Sequence, residues 1–144
     1  MADITKTPAS VKLPNENEVI KIRGLAGATL VPGQPVYLDG SNGWKPADAD
    51  AAASGMARGI VLGDGHGSVS IPSGVMVDIV TQGRIAGFAS MTPGLNVYVS
   101  LTAGSLDQTA PPNSGDFIFA IGWAESASVI YVDPQITVPT ANAS

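Results

Sequence analysis

Brief runs of alternating apolar and polar residues recur along the chain, and no segment holds the three-to-four-residue apolar spacing of an amphipathic helix. Val77, Ile79 and Thr81 alternate with Asp78, Val80 and Gln82. Val97 and Val99 alternate with Tyr98 and Ser100. Each of these segments is expected to turn one face to a core. Strands are predicted over 18–23, 36–38, 58–62, 68–71, 75–81, 84–88, 96–100, 117–124 and 128–132, several rich in the β-branched and aromatic residues that suit a pleated surface. The 17 Gly and 11 Pro punctuate these runs at short intervals, as turns do between short strands. The Ala-rich stretch 47–54 carries Asp48 and Asp50 near its start and ends at Gly55, but it has no apolar stripe, so a loop with at most one helical turn is expected there.

The same signals occur twice in one order. Ala26-Gly27 recurs as Ala86-Gly87, Pro32-Gly33 as Pro93-Gly94, Val36-Tyr37 as Val97-Tyr98, Gly43 as Gly104, Gly59 as Gly122 and Ser68-Val69 as Ser128-Val129. The spacing drifts only from 60 to 63 and back, as small loop insertions would produce. Pro-Gly ahead of a Val-rich strand is a type II turn signal, because Pro presets φ and Gly accepts the positive φ that follows. An accident of Gly- and Pro-rich composition is the competing account, and the ordered series speaks against it. The fold class predicted is therefore all-β. The expectation is a single compact β-barrel or β-sandwich of two similar units, about 18–71 and 78–132, sharing one core inside a domain spanning 17–133.

Residues 1–16 and 134–144 are polar, interrupted by Pro8, Pro14, Pro134 and Pro139, and read as extended arms that either hang free or lie along a neighbour. Ile136 and Val138 alternate around Thr137, which would suit a strand added to another subunit's sheet edge, against the alternative of a frayed tail.

Composition narrows the function. With 44% hydrophobic and only 13% charged residues the chain folds yet has a nearly neutral surface, which can press against a partner with little desolvation or side-chain entropy cost. A net charge of -5, with no clustering of the seven Lys and Arg, argues against nucleic acid and against anionic membranes as partners. There is no cysteine, so disulfides and thiolate metal sites are excluded. No signal-peptide or membrane-spanning run is present, which predicts a soluble protein made in the cytoplasm.

Candidate chemistry is sparse. The single histidine, His66, sits in Gly63-Asp64-Gly65-His66-Gly67, which reads as a hairpin tip and lacks the following Lys and Ser/Thr of a phosphate-binding loop. Asp39-Gly40-Ser41-Asn42-Gly43 carries calcium-loop-like oxygens without the spacing of an EF-hand, and Asn42-Gly43 signals a tight turn. Asp48 and Asp50 read as solvated loop charges, and Ser126 and Ser128 beside Glu125 as turn residues. No enzyme, metal or cofactor is predicted. Among aromatics, Tyr37 and Tyr98 hold equivalent repeat positions and are expected at the core edge, with Phe117, Phe119 and Trp123 in the core. Trp44 is the favoured exposed anchor for a protein interface, although a Trp folded onto its own sheet is the commoner fate. Trp44, Ile136 and Val138 are thus the candidate interface residues.

A resemblance adds to this reading. The run Pro-Gly-x-Pro-Val-Tyr-Leu-Asp-Gly-Ser-Asn-Gly-Trp at 32–44, the Ala-rich loop, and Arg-Gly-Ile at 58–60 are similar to tailed-phage head proteins. So are Val-Asp-Ile-Val-Thr-x-Gly-Arg-Ile-Ala-Gly-Phe at 77–88, Pro-Gly-x-x-Val-Tyr-Val-Ser at 93–100, Thr-Ala-Gly at 102–104, Ala-Pro-Pro at 110–112 and Ile-Gly-x-Ala at 121–124. Over about 19–134 the chain resembles the capsid decoration, or cement, proteins of tailed bacteriophages. The resemblance implies a non-enzymatic protein without cofactors on the capsid exterior of the virion. It would bridge subunits of the major capsid protein and stabilise their lattice, often as a trimer and sometimes as a dimer. The alternative is a receptor- or carbohydrate-binding β module of a phage tail or spike, which would need an exposed aromatic platform and could place calcium at Asp39 or Asp48.

Overall fold

A computed structural model describes residues 3–40, 43–111, 115–136 and 138–141. The chain is all-β, with 42% of it in strands and 8% in helix. The first half contains β1 (Thr5–Lys6), β2 (Ile20–Leu25), β3 (Pro35–Leu38), β4 (Trp44–Pro46) and β5 (Gly59–Gly63), with one helical turn, α1 (Ala52–Gly55), ahead of β5. The long β6 (Met76–Ala86) leads into β7 (Phe88–Ala89), β8 (Asn96–Val99), β9 (Leu106–Asp107), β10 (Phe117–Ile118), β11 (Ala120–Ala124), β12 (Val129–Val132) and β13 (Thr140–Ala141).

One curled sheet runs β4-β3-β5-β6-β12-β11-β8-β9, with β2 paired to the first part of β6. Read from its centre, the sheet is the same arrangement twice. The first part of β6 pairs with β2 and β5, β5 with β3, and β3 with β4. The last part of β6 pairs with β12, β12 with β11, β11 with β8, and β8 with β9. Val36 lies opposite Gly59 as Val97 lies opposite Gly122, and Ile22 lies opposite Ile79 as Ile85 lies opposite Ile130. The first unit thus ends within β6, at about residue 82. Its closing strand is the start of β6, and 68–71 contributes only the Leu30–Ile71 bridge.

Each unit closes into a ring. In the first, Ala26, just past β2, bridges Trp44 of β4, and the Gly27 amide donates to the Trp44 carbonyl at 2.8 Å. In the second, the N-terminal segment fills the gap between β7 and β9. Thr5 pairs with Ala89, and the Ile4 amide donates to the Leu106 carbonyl at 2.7 Å. Farther along, Lys12 exchanges two backbone hydrogen bonds with Ala86. The arm therefore lies along its own domain. Its Ile4, Val11 and Leu13 cover the second core, and the alternation Ile4, Lys6 against Thr5, Thr7 supplies the pleat this needs.

Two cores replace the single shared one expected. Leu30, Val36, Trp44, Val61, Ile71, Val77 and Ile79 fill the first ring. Ile85, Val97, Val99, Phe119, Ile121, Ile130 and Val132 fill the second, where they also meet Ile60 and Val80 from the outer face of the first. Strand β5 at Ile60 and β6 at Val80 are consequently buried on both faces, and the one-sided alternation read at 77–82 does not hold: Val77 and Ile79 face one core and Val80 the other. The Ala-rich stretch fits between the units. Ala47, Ala49, Gly55 and Ala57 are buried there.

Candidate functional surface

Trp44 is not the exposed anchor expected. It is 8% exposed and forms part of the first core. The reason lies in Gly24. A Cβ there would stand 2.2 Å from Trp44 Nε1, so the glycine opens the space in which the indole lies across β2.

Ile136 and Val138 are exposed, at 97% and 64%. The Gln135 amide donates to the Ala120 carbonyl at 3.0 Å, and its side-chain oxygen accepts from the Ala120 amide at 2.9 Å. Gln135 Nε2 donates to the Val138 carbonyl at 3.3 Å, and β13 pairs with β10 just beyond. Ile136 and Val138 lie between these two contacts and reach solvent. Thr137 lies outside the described residues.

The remaining candidates hold the turns together. His66 is exposed, and its amide and that of Ser68 donate to Asp64 Oδ1 at 2.8 and 3.4 Å. Asp64 is 7% exposed, and hydrogen bonds from the Ser68 side chain and the His66 amide hold its carboxyl below the usual range. Asp39 is ion-paired with Lys45, whose pKa that contact raises; Ser41 and Asn42 lie outside the described residues. Asp48 Oδ1 accepts from the Asp50 amide and the Ser54 hydroxyl, and so closes the turn ahead of β5. Ser126 caps the β11–β12 hairpin by accepting from the Ser128 and Val129 amides. Among the described residues, no three His, Cys, Asp or Glu side chains gather as metal ligands. A cleft of roughly 260 Å³ lies between the arm and the 62–68 turn, lined by Val11, Leu13, Leu62 and glycines.

On the outer face of the second unit, aromatic and charged side chains meet in one row, while Ile20, Leu25, Leu38 and Met76 are among the exposed apolar side chains of the first unit. A bulge between Ala120 and Gly122 on β11 reverses the alternation. Phe119 and Ile121 point into the core, and Trp123 emerges 39% exposed instead of buried as expected. Phe117, ahead of the bulge, is half-buried. Trp123 stacks on Tyr131, its cross-strand partner, with ring centroids 5.4 Å apart. The row continues in register to Asn96 on β8 and Arg84 on β6. Arg84 Nε lies 2.8 and 2.7 Å from the two Glu125 oxygens, and its Nη1 is paired with Glu18. Glu125 first, and Glu18 beyond it, raise the guanidinium's pKa.

No protein-family model matches the chain, and no curated protein is recognisably similar to it in sequence. The functional reading rests on this surface and on the residues themselves. Sequence reasoning placed Trp123 in the core because it extended a period of two through Gly122. The signal that finds it is the hairpin loop 126–128, which sets Trp123 opposite Tyr131 by counting outward from its centre at Ala127.

Proposed function

We propose that this chain is a structural virion protein, without a catalytic step or cofactor, that binds the outside of a tailed-phage capsid and stabilises the major capsid protein lattice. In this reading it is made in the host cytoplasm, works as a homo-oligomer, and does not use nucleic acid or membrane as a partner. The observation that supports the reading is that apolar side chains stand exposed without reactive groups gathered beside them: Trp123, Leu95 and Ile136 reach solvent, and Arg23, Lys45 and Arg84 are ion-paired within the chain. Such a module stabilises an expanded shell by mass action, because it binds the assembled lattice and not separate subunits. The motifs at 32–44 and 77–100 support the phage assignment.

The test is co-sedimentation of the purified protein with expanded capsids stripped of it. Saturation at a fixed ratio to the major capsid protein is the expected result. Absence of binding removes the reading. The stacked Trp123–Tyr131 pair favours one second reading, a carbohydrate-binding module, because aromatic faces flanked by Asn, Arg and Glu suit sugar rings. A glycan-array signal abolished by Trp123→Ala would select it.

A further inference from the structure

One pair of equivalent positions carries opposite charge in the two units. Leu38 faces Trp44 across β3 and β4 as Val99 faces Leu106 across β8 and β9. The next residue donates its amide back across the loop in both, Asp39 to the Gly43 carbonyl and Ser100 to the Ser105 carbonyl. Asp39 therefore corresponds to Ser100, and Lys45, opposite Tyr37, to Asp107, opposite Tyr98. In the first unit the pair is balanced, because Lys45 binds Asp39. In the second a carboxylate stands in place of the ammonium, and the arm adds another: the Ser100 hydroxyl donates to Asp3 Oδ1. Two cavities of roughly 210 and 300 Å³ share Asp3, Asp107 and Thr109 in their walls, and the first is also lined by Ser100 and Thr102.

Asp107 is only 9% exposed. Its Oδ1 accepts from the Thr109 amide at 2.9 Å, and its other oxygen, on the cavity wall, takes no hydrogen bond among the described residues. No described Lys, Arg or His is ion-paired with Asp3 or Asp107. Lys6 senses the charge of Asp3, but its ammonium donates to the Gly104 carbonyl at 3.1 Å. A carboxylate buried to this degree is ordinarily paired or bound to a metal, and two carboxylates sharing a site repel each other. We propose that Asp3 and Asp107 hold a divalent cation of the calcium class, which supplies the positive charge that Lys45 supplies in the first unit and fastens the arm to β9. The donor set is hard oxygen, two carboxylates with the hydroxyls of Ser100, Thr102 and Thr109 beside them, which suits calcium completed by water and not a metal that seeks nitrogen or sulfur. The ion would reinforce the bond from the Ile4 amide to the Leu106 carbonyl, which closes the second ring. This goes beyond the capsid reading and does not depend on it.

The experiment is urea unfolding of the full chain, stripped with EDTA and then titrated with calcium chloride, with hydrogen exchange at the Ile4 amide followed alongside. A saturable rise in stability is expected, with a dissociation constant of roughly 0.1–1 mM, the range of weak calcium sites. At about 10 mM calcium the ratio of folded to unfolded chain should then rise roughly 10- to 100-fold by mass action. Exchange at Ile4 should slow over the same concentrations. Asp107→Asn and Asp3→Asn should each weaken the response about tenfold or more, and Asp3 is exposed, so its substitution leaves the core untouched. Asp50→Asn, at an exposed carboxylate of the Ala-rich stretch, should leave the response unchanged. The inference is overturned by a chain indifferent to calcium up to about 10 mM, or by a response that persists in both Asp3→Asn and Asp107→Asn. Stabilisation that leaves exchange at Ile4 unaltered overturns it too. Capsid co-sedimentation in EDTA judges the proposed function separately.

Discussion

Gly59 and Gly122 occupy the same place in the two units: a Cβ on either would meet the backbone carbonyl oxygen of the next strand, Val80 at 2.3 Å and Tyr131 at 2.1 Å. Both glycines let two strands approach where a side chain would force them apart. Because the obstacle is backbone, relaxation is limited. Gly59→Ala and Gly122→Ala should each cost about 3 kcal/mol, near the upper end for overpacking. Gly40→Ala, where nothing lies within 4 Å, should stay within about 0.5 kcal/mol. Urea titration of the three variants checks this, and equal stability for all three would remove the argument from close approach.

Trp44 and Trp123 should part company under substitution. Trp44 fills the first core beside Gly24, so Trp44→Ala should cost about 3–5 kcal/mol of folding stability. Trp123→Ala removes a side chain from the surface and should change folding stability by about 1 kcal/mol or less. Thermal unfolding under dilute conditions distinguishes the two. A Trp44→Ala protein with wild-type stability would restore Trp44 as a surface anchor.

What the amino-acid pattern disclosed and what it concealed follow from the reach of local signals. Turn residues and β-branched runs marked most strands, because those preferences act over a few residues. The break expected near Gly83 failed because that glycine is not a turn. It sits at φ +118° inside continuous β6, where a Cβ would come 2.7 Å from Val19 and 2.8 Å from the Glu18 carbonyl. Periodicity reports whether a residue is buried, not which core it enters, so Val80 and Ile79 could not be assigned to different cores. The bulge that turns Trp123 outward depends on the register of β11 against β8, a tertiary fact. The short β4 and β9 were missed because strands of two or three residues carry almost no pattern.

The arm should prove part of the fold before any partner is met. Deleting residues 1–13 removes β1 from between β7 and β9 and uncovers the surface under Ile4, Val11 and Leu13. Three half-buried apolar side chains at about 1 kcal/mol each predict a loss of roughly 3 kcal/mol. Hydrogen exchange at Ala86, whose amide donates to the Lys12 carbonyl at 2.8 Å, should quicken with it. Unchanged stability and exchange in the truncated protein would mean that the arm contributes nothing to the isolated fold.

Acid should act on the 62–68 turn through Asp64. Its folded carboxyl titrates below the unfolded value of about 3.9 because the Ser68 side chain and the His66 and Ser68 amides hydrogen-bond the charged form. A depressed carboxyl binds fewer protons in the folded than in the unfolded state over the interval between the two pKa values. Its contribution to stability is therefore complete above the unfolded pKa and disappears as pH falls through the folded one. Asp64→Asn removes the charge and with it this dependence. The stability difference between wild type and Asp64→Asn, measured by urea unfolding, should be flat above about pH 5 and should shrink as the pH drops below about 4. A difference that stays constant to pH 2, or that widens in acid, would show that the buried carboxylate is not held by these bonds.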